Sequence, residues 1–540
     1  MREAFPGHEA KPVPVACPAG PVVAADAELA AARIMPGAGK GDGCSEAMGS
    51  TQVRAGSYPT APAHDRIQVD ASPHRGEADF SAMRDMHGQA EDLDPVSMAD
   101  LLRNAFVYPP HSIFRNVKLA TTGFMPQQDL HDAPTFHFER QSAAVKRPTA
   151  SAIDDERLVD TYHRLLCEAV TRNTERMRTP YLLQSGGKDS TSLAIAMSEA
   201  APQVVCMTYL GGREENEVDS AQRVAQKLGL RHESLTCDPG RAYDRYLALV
   251  PRMPLLTADF ALLSYCDLAT EIARHGGDGI IDGLGSDPYF GVPPNGKQRL
   301  LASLARRVRL PSSLQRMPLM RGSFPLSYVL GTLQMDSFER FYPGSRFTDA
   351  EVDALLGRSL SWLSRQRLET FRADIDAART GEARRRISAT ILEPALFAKG
   401  MYVASALDLR MAYPYCDGPL CDWVFQDVPD EQLIGAGGIN KVLVRKHIAR
   451  RFGHLPYVAA KGSFRFDLCG LAHERFDQVW AMAQQTRGLV PGAPAWLERY
   501  RHQLGNKYFA SKFYLLAILL PWLLQRFDGA LAQLDCGDAS

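Results

Sequence analysis

No charge of one sign dominates this sequence: 61 Lys and Arg stand against 62 Asp and Glu, a formal net charge of −1. A nucleic-acid or anionic-surface function ordinarily shows as a basic excess, so no nucleic acid and no membrane is expected as a partner. Cysteine pairs for a metal are lacking too. The ten cysteines, at 17, 44, 167, 206, 237, 266, 416, 421, 469 and 536, include no CxxC pair and no Cys/His cluster of metal-ligand spacing. Several lie in apolar runs, such as Cys206 in VVCMTYL, where a thiol acts as a small hydrophobe. A reducing, cytoplasmic setting is the expectation. The opening MREAFPGHEAKPVP has no apolar stretch of the kind a secretory signal needs. The most apolar run, FYLLAILLPWLL at 513–524, is short for a bilayer and contains Pro521, which predicts a buried core helix.

What is present is the balance of a soluble globular protein, 45% apolar and 23% charged, over 540 residues, enough for two or three domains. Residues 1–95 are rich in Ala, Pro and Gly without sustained periodicity, and are expected to be a disordered leader. Between 96 and 150, MADLLRNAFVYPP suggests a short helix, and HSIFRNVKL and PTFHFERQ suggest strands. From 151 to about 530 the pattern changes. DDERLVDTYHRLLCEAVTRNTERM is a long amphipathic helix, with Asp154 and Asp155 at its positive end. TPYLLQS, QVVCMTYL, RHESLT and GIIDG read as strands separated by helices, which implies a parallel sheet covered on both faces. Beyond about 298 the chain reads as helices joined by Pro/Gly loops. The expected class is therefore α/β, with a helical C-terminal extension and a small β element before the main domain.

One motif carries chemistry by itself. LLQSGGKDSTS sets Ser185, Gly186, Gly187, Asp189 and Ser190 between a strand and a helix. The glycines let backbone N–H groups approach one point, and the helix start adds unpaired N–H groups and positive potential. The two hydroxyls can donate to the same anion. The product is a pyrophosphate cradle with Asp189 placed to hold Mg²⁺. Its spacing differs from the GxxxxGK[ST] loop.

SGGxDS resembles the signature of the N-type ATP pyrophosphatases. The later run Asp282-Gly283-Leu284-Gly285-Ser286-Asp287-Pro288-Tyr289-Phe290-Gly291 resembles the second motif of the asparagine synthetases. Asn440-Lys441-Val442-Leu443-Val444-Arg445 and Lys461-Gly462-Ser463-Phe464 resemble that family's NKxxLR and PKxxF segments. The resemblance implies a PP-loop (adenine-nucleotide α-hydrolase-like) fold that uses ATP and Mg²⁺. Gly283 and Gly285 would border the nucleotide, and Asp189 and Asp287 would be the metal ligands. Leu183, Ser185, Met207 and Thr208 would form the adenine pocket, and Lys461 would be the catalytic lysine of acyl transfer. YPYCDGPLCDWV at 413–424 resembles the family's PFLD helix start, with Asp417 structural.

Two departures qualify the resemblance. Glutamine-using members begin with a processed Cys, whereas residue 2 here is Arg, and only HSIFRNVKLATTGF resembles the end of a glutaminase domain. Residues 96–150 are thus expected to be a degenerate remnant of that domain, and glutamine is not expected to donate nitrogen. Leu284 stands where asparagine synthetases carry Glu and the β-lactam-forming relatives Tyr, a residue that helps position or deprotonate the amine. Leucine can do neither. Pro288 replaces a further Glu. The expected activity is ATP-dependent amide formation on a small-molecule or peptide carboxylate, with ammonia or another amine as nucleophile. A macrolactam or β-lactam-type cyclase and a catalytically silent nucleotide-binding homologue are the alternatives. The Arg-rich stretches at 297–310 and 379–386 could receive an acidic substrate or simply be solvated helix faces.

Overall fold

The computed structural model describes residues 56–58, 67–73, 78–121, 124–126, 136–140, 154–211, 215–291, 323–334, 347–369, 371, 381–454 and 466–535. Strands β1 (Gly56–Tyr58), β4 (Phe124–Pro126) and β5 (Phe136–Arg140) form an antiparallel sheet in the order β1-β5-β4. β2 (Ile67–Asp70) runs parallel to β3 (Val117–Ala120), Ile67 opposite Val117. Helix α1 (Pro95–Asn104) lies between them in sequence. Its cap, Asp94, accepts from the Val96 and Ser97 amides, and Pro95 supplies a preset first turn.

The main sheet takes β6 (Pro180–Leu183), β7 (Val205–Leu210), β8 (Arg231–Thr236), β9 (Gly279–Ile281) and β10 (Arg410–Ala412) in the order β10-β9-β6-β7-β8, every neighbouring pair parallel. Alternation along the strands feeds two cores. Tyr181, Leu183, Val205, Met207 and Ile280 join one cluster, and Leu182, Cys206 and Ile281 join the other. The second face is covered by α2 (Asp155–Thr174), α3 (Lys188–Ala200) and α4 (Glu215–Lys227). The first face packs on α5 (Pro239–Leu249) and α6 (Leu262–Arg274). Later elements include α7 (Ser286–Phe290), α8 (Ser361–Glu369), α9 (Gly381–Ala406), α10 (Gly418–Gln426), α11 (Val442–Phe452), α12 (Leu468–Gln485) and α13 (Lys507–Asp535).

α13 is longer than the apolar run suggested. Lys507–Phe527 meets the length and composition of a membrane span, yet 89% of that window is buried inside the fold, which makes it a core helix here. Pro521 has no N–H for the carbonyl four residues back. The Tyr243 hydroxyl takes that place, donating to the Ala517 carbonyl at 3.0 Å, and Tyr246 donates to Ile518 at 2.6 Å. The breaker is thus accommodated by two tyrosines of α5, which ties α13 to the sheet's helical cover.

The expected leader needs correction at its C-terminal end. Residues 1–55 lie outside the described residues, but 67–73 and 78–95 are packed: Phe80 and Met83 are buried, and the Gly88 amide donates to the Arg526 carbonyl. A segment too poor in apolar residues to build its own core can still add a few side chains to one built elsewhere, and composition alone does not see that. The boundary at 95 therefore falls inside the fold.

Candidate functional site

The strand order makes the site. From β6 the chain moves to β7 and β8 on one side, whereas β9 and β10 lie on the other, so β6 and β9 flank a topological switch point. In open parallel sheets the loops leaving such neighbouring strands diverge and leave a crevice at their C-terminal ends. The loop after β6 spans residues 184–187, and the loop after β9 spans residues 282–285. Both chemically suggestive motifs therefore open on one crevice.

The first loop is held by its own serines. The Ser185 amide donates to Ser190 Oγ at 3.2 Å, the Gly187 amide to Ser185 Oγ at 3.2 Å, and Ser190 Oγ lies 2.9 Å from the Ser185 carbonyl. Gly187 caps α3 in an extended conformation with no side-chain cap, and Asp189 stands in the first turn. The second loop is equally constrained. Tyr265 donates to the buried Asp282 carboxylate, whose other oxygen accepts from the Leu284 amide at 3.1 Å. Gly285 has φ +97°, and a Cβ there would lie 2.6 Å from Cys416 Sγ, so glycine is required on both conformational and steric grounds. A Cβ on Gly283 would lie 3.6 Å from the Ser190 amide, which shows how closely the two loops pack.

Asp189 and Asp287 converge on one atom, the Nζ of Lys441. It lies 2.9 Å from Asp189 Oδ1, pairs with Asp287 Oδ1, and donates to Ser286 Oγ at 2.8 Å. The lysine side chain is fully buried, whereas the two carboxylates keep 12% and 13% of their surface. Lys441 itself is left-handed, φ +57°, at the N-cap of α11, with its amide bonded to the Leu433 carbonyl at 2.6 Å. A non-glycine residue in that region is strained, and such strain clusters at functional sites. Sequence reading quoted Lys441 within its motif and assigned it no role. Its signal was the motif alone, since the contact spans about 250 residues of chain.

The remaining expected residues are placed as follows. Leu183 ends β6 and faces the first core, with Met207 opposite it on β7. Thr208 is buried, donating to the Gln184 carbonyl at 2.8 Å and lying 2.9 Å from His232 Nε2. Leu284 is half-buried against the apolar core. Asp417 is gripped by Arg172 through two bonds of 3.0 and 2.7 Å. Lys461 lies outside the described residues, as does the 297–310 stretch. A separate cavity of about 790 Å³ beside β10 is lined by Arg84, Arg172, Arg176 and Arg410 together with Asp417, and by none of the residues expected to hold nucleotide or metal.

The donor set fits a hard divalent cation. Two carboxylates from different strand ends already hold a cationic group between them, and Asp, Asp and Lys together carry a formal −1. The chain's likeness to known proteins agrees with this geometry. No curated protein matches it at a significant level. The model of the asparagine synthase family matches residues 161–460, more than half of the sequence and a span that includes both loops and Lys441. The chain belongs to the asparagine synthase family.

Proposed function

We propose that the protein is an ATP-dependent, AMP-forming ligase that activates a carboxylate as its acyl-adenylate and passes it to an amine. The observation that carries this reading is the convergence of Asp189, Asp287 and Lys441 at the switch point of a parallel sheet. Asp189 and Asp287 would hold Mg²⁺, which supplies charge neutralisation on the triphosphate. Ser185, Gly187 and Ser190 would present donors to the pyrophosphate. Lys441 would shift from the carboxylates toward phosphate oxygens once the divalent charge is in place, because an ammonium between two acids is displaced by a stronger cation but attracted by the incoming anion. Lys461 would serve the oxyanion of the transfer step.

Leu284 favours a second reading within the same chemistry, a ring-closing enzyme whose amine belongs to the substrate. Its side chain offers no proton acceptor and packs against the core, so the amine must be positioned by other means. The test is pyrophosphate–ATP exchange with a panel of carboxylates and amine-bearing linear peptides. Exchange that requires Mg²⁺ and one class of acid supports the ligase. No exchange, together with tight ATP binding by calorimetry, would leave the nucleotide-binding homologue. Amide formation from a linear peptide but not from free ammonia would select the ring-closing reading.

A further inference from the structure

A second polar cluster lies away from this crevice, on the helices covering the second face of the sheet. His163 and Cys167 are four residues apart on α2 and share one side of it. Glu199, at the end of α3, completes the group, with one ligand atom of each residue within 4.8 Å of the others. Behind His163 a hydrogen-bonded chain runs inward: His447 on α11, Ser192 on α3, Tyr162 on α2, Tyr415, and finally the Asp189 carbonyl.

That chain is anchored at its inner end. Tyr415 donates to the Asp189 carbonyl at 2.9 Å, and Tyr162 donates to Tyr415 at 3.4 Å. Ser192 Oγ lies 2.9 Å from the Tyr162 hydroxyl and 2.9 Å from His447 Nδ1. His447 is buried, with Nδ1 on Ser192 Oγ and Nε2 3.0 Å from His163 Nδ1. This leaves His163 Nε2 facing the Glu199 carboxylate at 3.0 Å, with Cys167 Sγ 3.6 Å away. A nitrogen, a sulfur and a carboxylate oxygen thus face one another at the outer end of the chain.

The geometry points to a zinc-class metal site formed by His163 Nε2, Cys167 Sγ and Glu199 Oε2. Tetrahedral zinc, with bonds of about 2.0–2.1 Å to nitrogen or oxygen and about 2.3 Å to sulfur, sets N and S roughly 3.6 Å apart and N and O roughly 3.3 Å apart. The observed separations are 3.6 and 3.0 Å. The mixed nitrogen, sulfur and oxygen set suits a borderline ion and not magnesium. Cys167 would bind as the thiolate, the form that a divalent ion favours. His447 then acts as the outer partner that fixes the ligand's tautomer and ring orientation. The ion would fasten α2 to α3. Through His447 it would also reach α11, whose cap is Lys441, and so stiffen the two helix starts that carry Asp189 and Lys441.

The full-length protein, stripped with chelator and titrated with Co²⁺, tests this. One equivalent should bind with a thiolate-to-cobalt charge-transfer band and tetrahedral d–d absorption, and Zn²⁺ should displace it. Cys167→Ser should lose the charge-transfer band, while Cys469→Ser, at another half-buried thiol, should keep it. His447→Asn should weaken binding by about 10–100-fold with the band retained. Should Cys167→Ser fail to fold, alkylation of Cys167 in the wild type, followed by mass spectrometry, should be sharply slowed by Zn²⁺. No band, a band that survives Cys167→Ser, or alkylation indifferent to Zn²⁺ would each overturn the site and leave His163 simply hydrogen-bonded to Glu199.

Discussion

Two buried lysines separate the crevice from the helical layer. Lys441 and Lys512 both have fully buried side chains, and both meet carboxylates. Lys512, on α13, meets a single acid: Glu351 takes it through both oxygens at 3.0 and 2.7 Å, the Tyr508 ring centre lies 4.4 Å from it, and Trp496 donates to the same Glu351. Burial opposes the charge on each partner, but each wins it back from the other, so Glu351 is lowered and Lys512 raised. The pair is neutral and complete. Lys441 instead serves two acids that belong to different loops, which leaves those three groups at a formal −1. Burial and pairing are alike in the two places. Stoichiometry distinguishes an internal strut from a position where a cation can be exchanged.

The sharpest way to break that distinction is at the carboxylates. Asp189→Asn and Asp287→Asn should each abolish Mg²⁺-dependent pyrophosphate release while leaving the melting transition close to wild type, because each keeps the shape of its loop and removes one charge. Turnover at wild-type level in either variant, measured with the substrate found by exchange, would remove the metal assignment.

In the helical layer the effect should be on stability alone. Lys512→Met leaves Glu351 buried beside an apolar chain, and should cost about 3–5 kcal/mol in urea unfolding. Adding Glu351→Leu should recover most of that, since a buried pair is costly to break by halves but replaceable as a whole. Magnesium and ATP should not alter either result. Lys441→Met should behave differently toward Mg²⁺. It leaves two acids facing each other, and without a divalent ion a loss of about 3–5 kcal/mol is expected here too. Excess Mg²⁺ should restore up to about 2.7 kcal/mol when the ion stands at a hundredfold over its dissociation constant. Equal insensitivity of both lysine variants to Mg²⁺ would erase the comparison.

Much of the crevice was legible because its parts are local. SGGKDS and DGLGSD each show a strand, a glycine turn and a helix start within about ten residues, and periodicity located β6, β7, β8 and β9. What joins them was not legible. The order β10-β9-β6-β7-β8 depends on pairing between distant segments, and Lys441 reaches its acids only through α11 packing on α2 and α3. The same limit applies to Cys167. Cysteine spacing excluded a metal cluster, but the partner of the His163–Cys167 pair comes from the neighbouring helix. Residues 67–95 were misread for a related reason, since β2 is stabilised by β3, fifty residues on.

A third buried lysine extends the comparison toward its smallest expected effect. Lys118, on β3, is 3% exposed and donates to the Arg115 carbonyl at 3.1 Å. Burial lowers it to about 8. Asp94 pulls the other way but is outweighed, and Arg367 and Arg115 add to the lowering. An unfolded lysine titrates near 10.4, so between about pH 8 and 10.4 the unfolded chain binds more protons than the native one. Stability therefore rises with pH across that window, the reverse of a lysine that gains a partner, and below about pH 8 the whole penalty is present. From pH 7 to pH 9 the gain from this one group is about 1 kcal/mol. Other groups titrate over the same range, notably thiols exposed on unfolding, so the quantity to measure is a difference between proteins. Urea unfolding of wild type and Lys118→Met at both pH values should show the wild type gaining about 1 kcal/mol relative to the variant. A parallel pH response in the two would mean that Lys118 keeps its proton as firmly as Lys512 does, and that burial on β3 is relieved by the ring of charges around it.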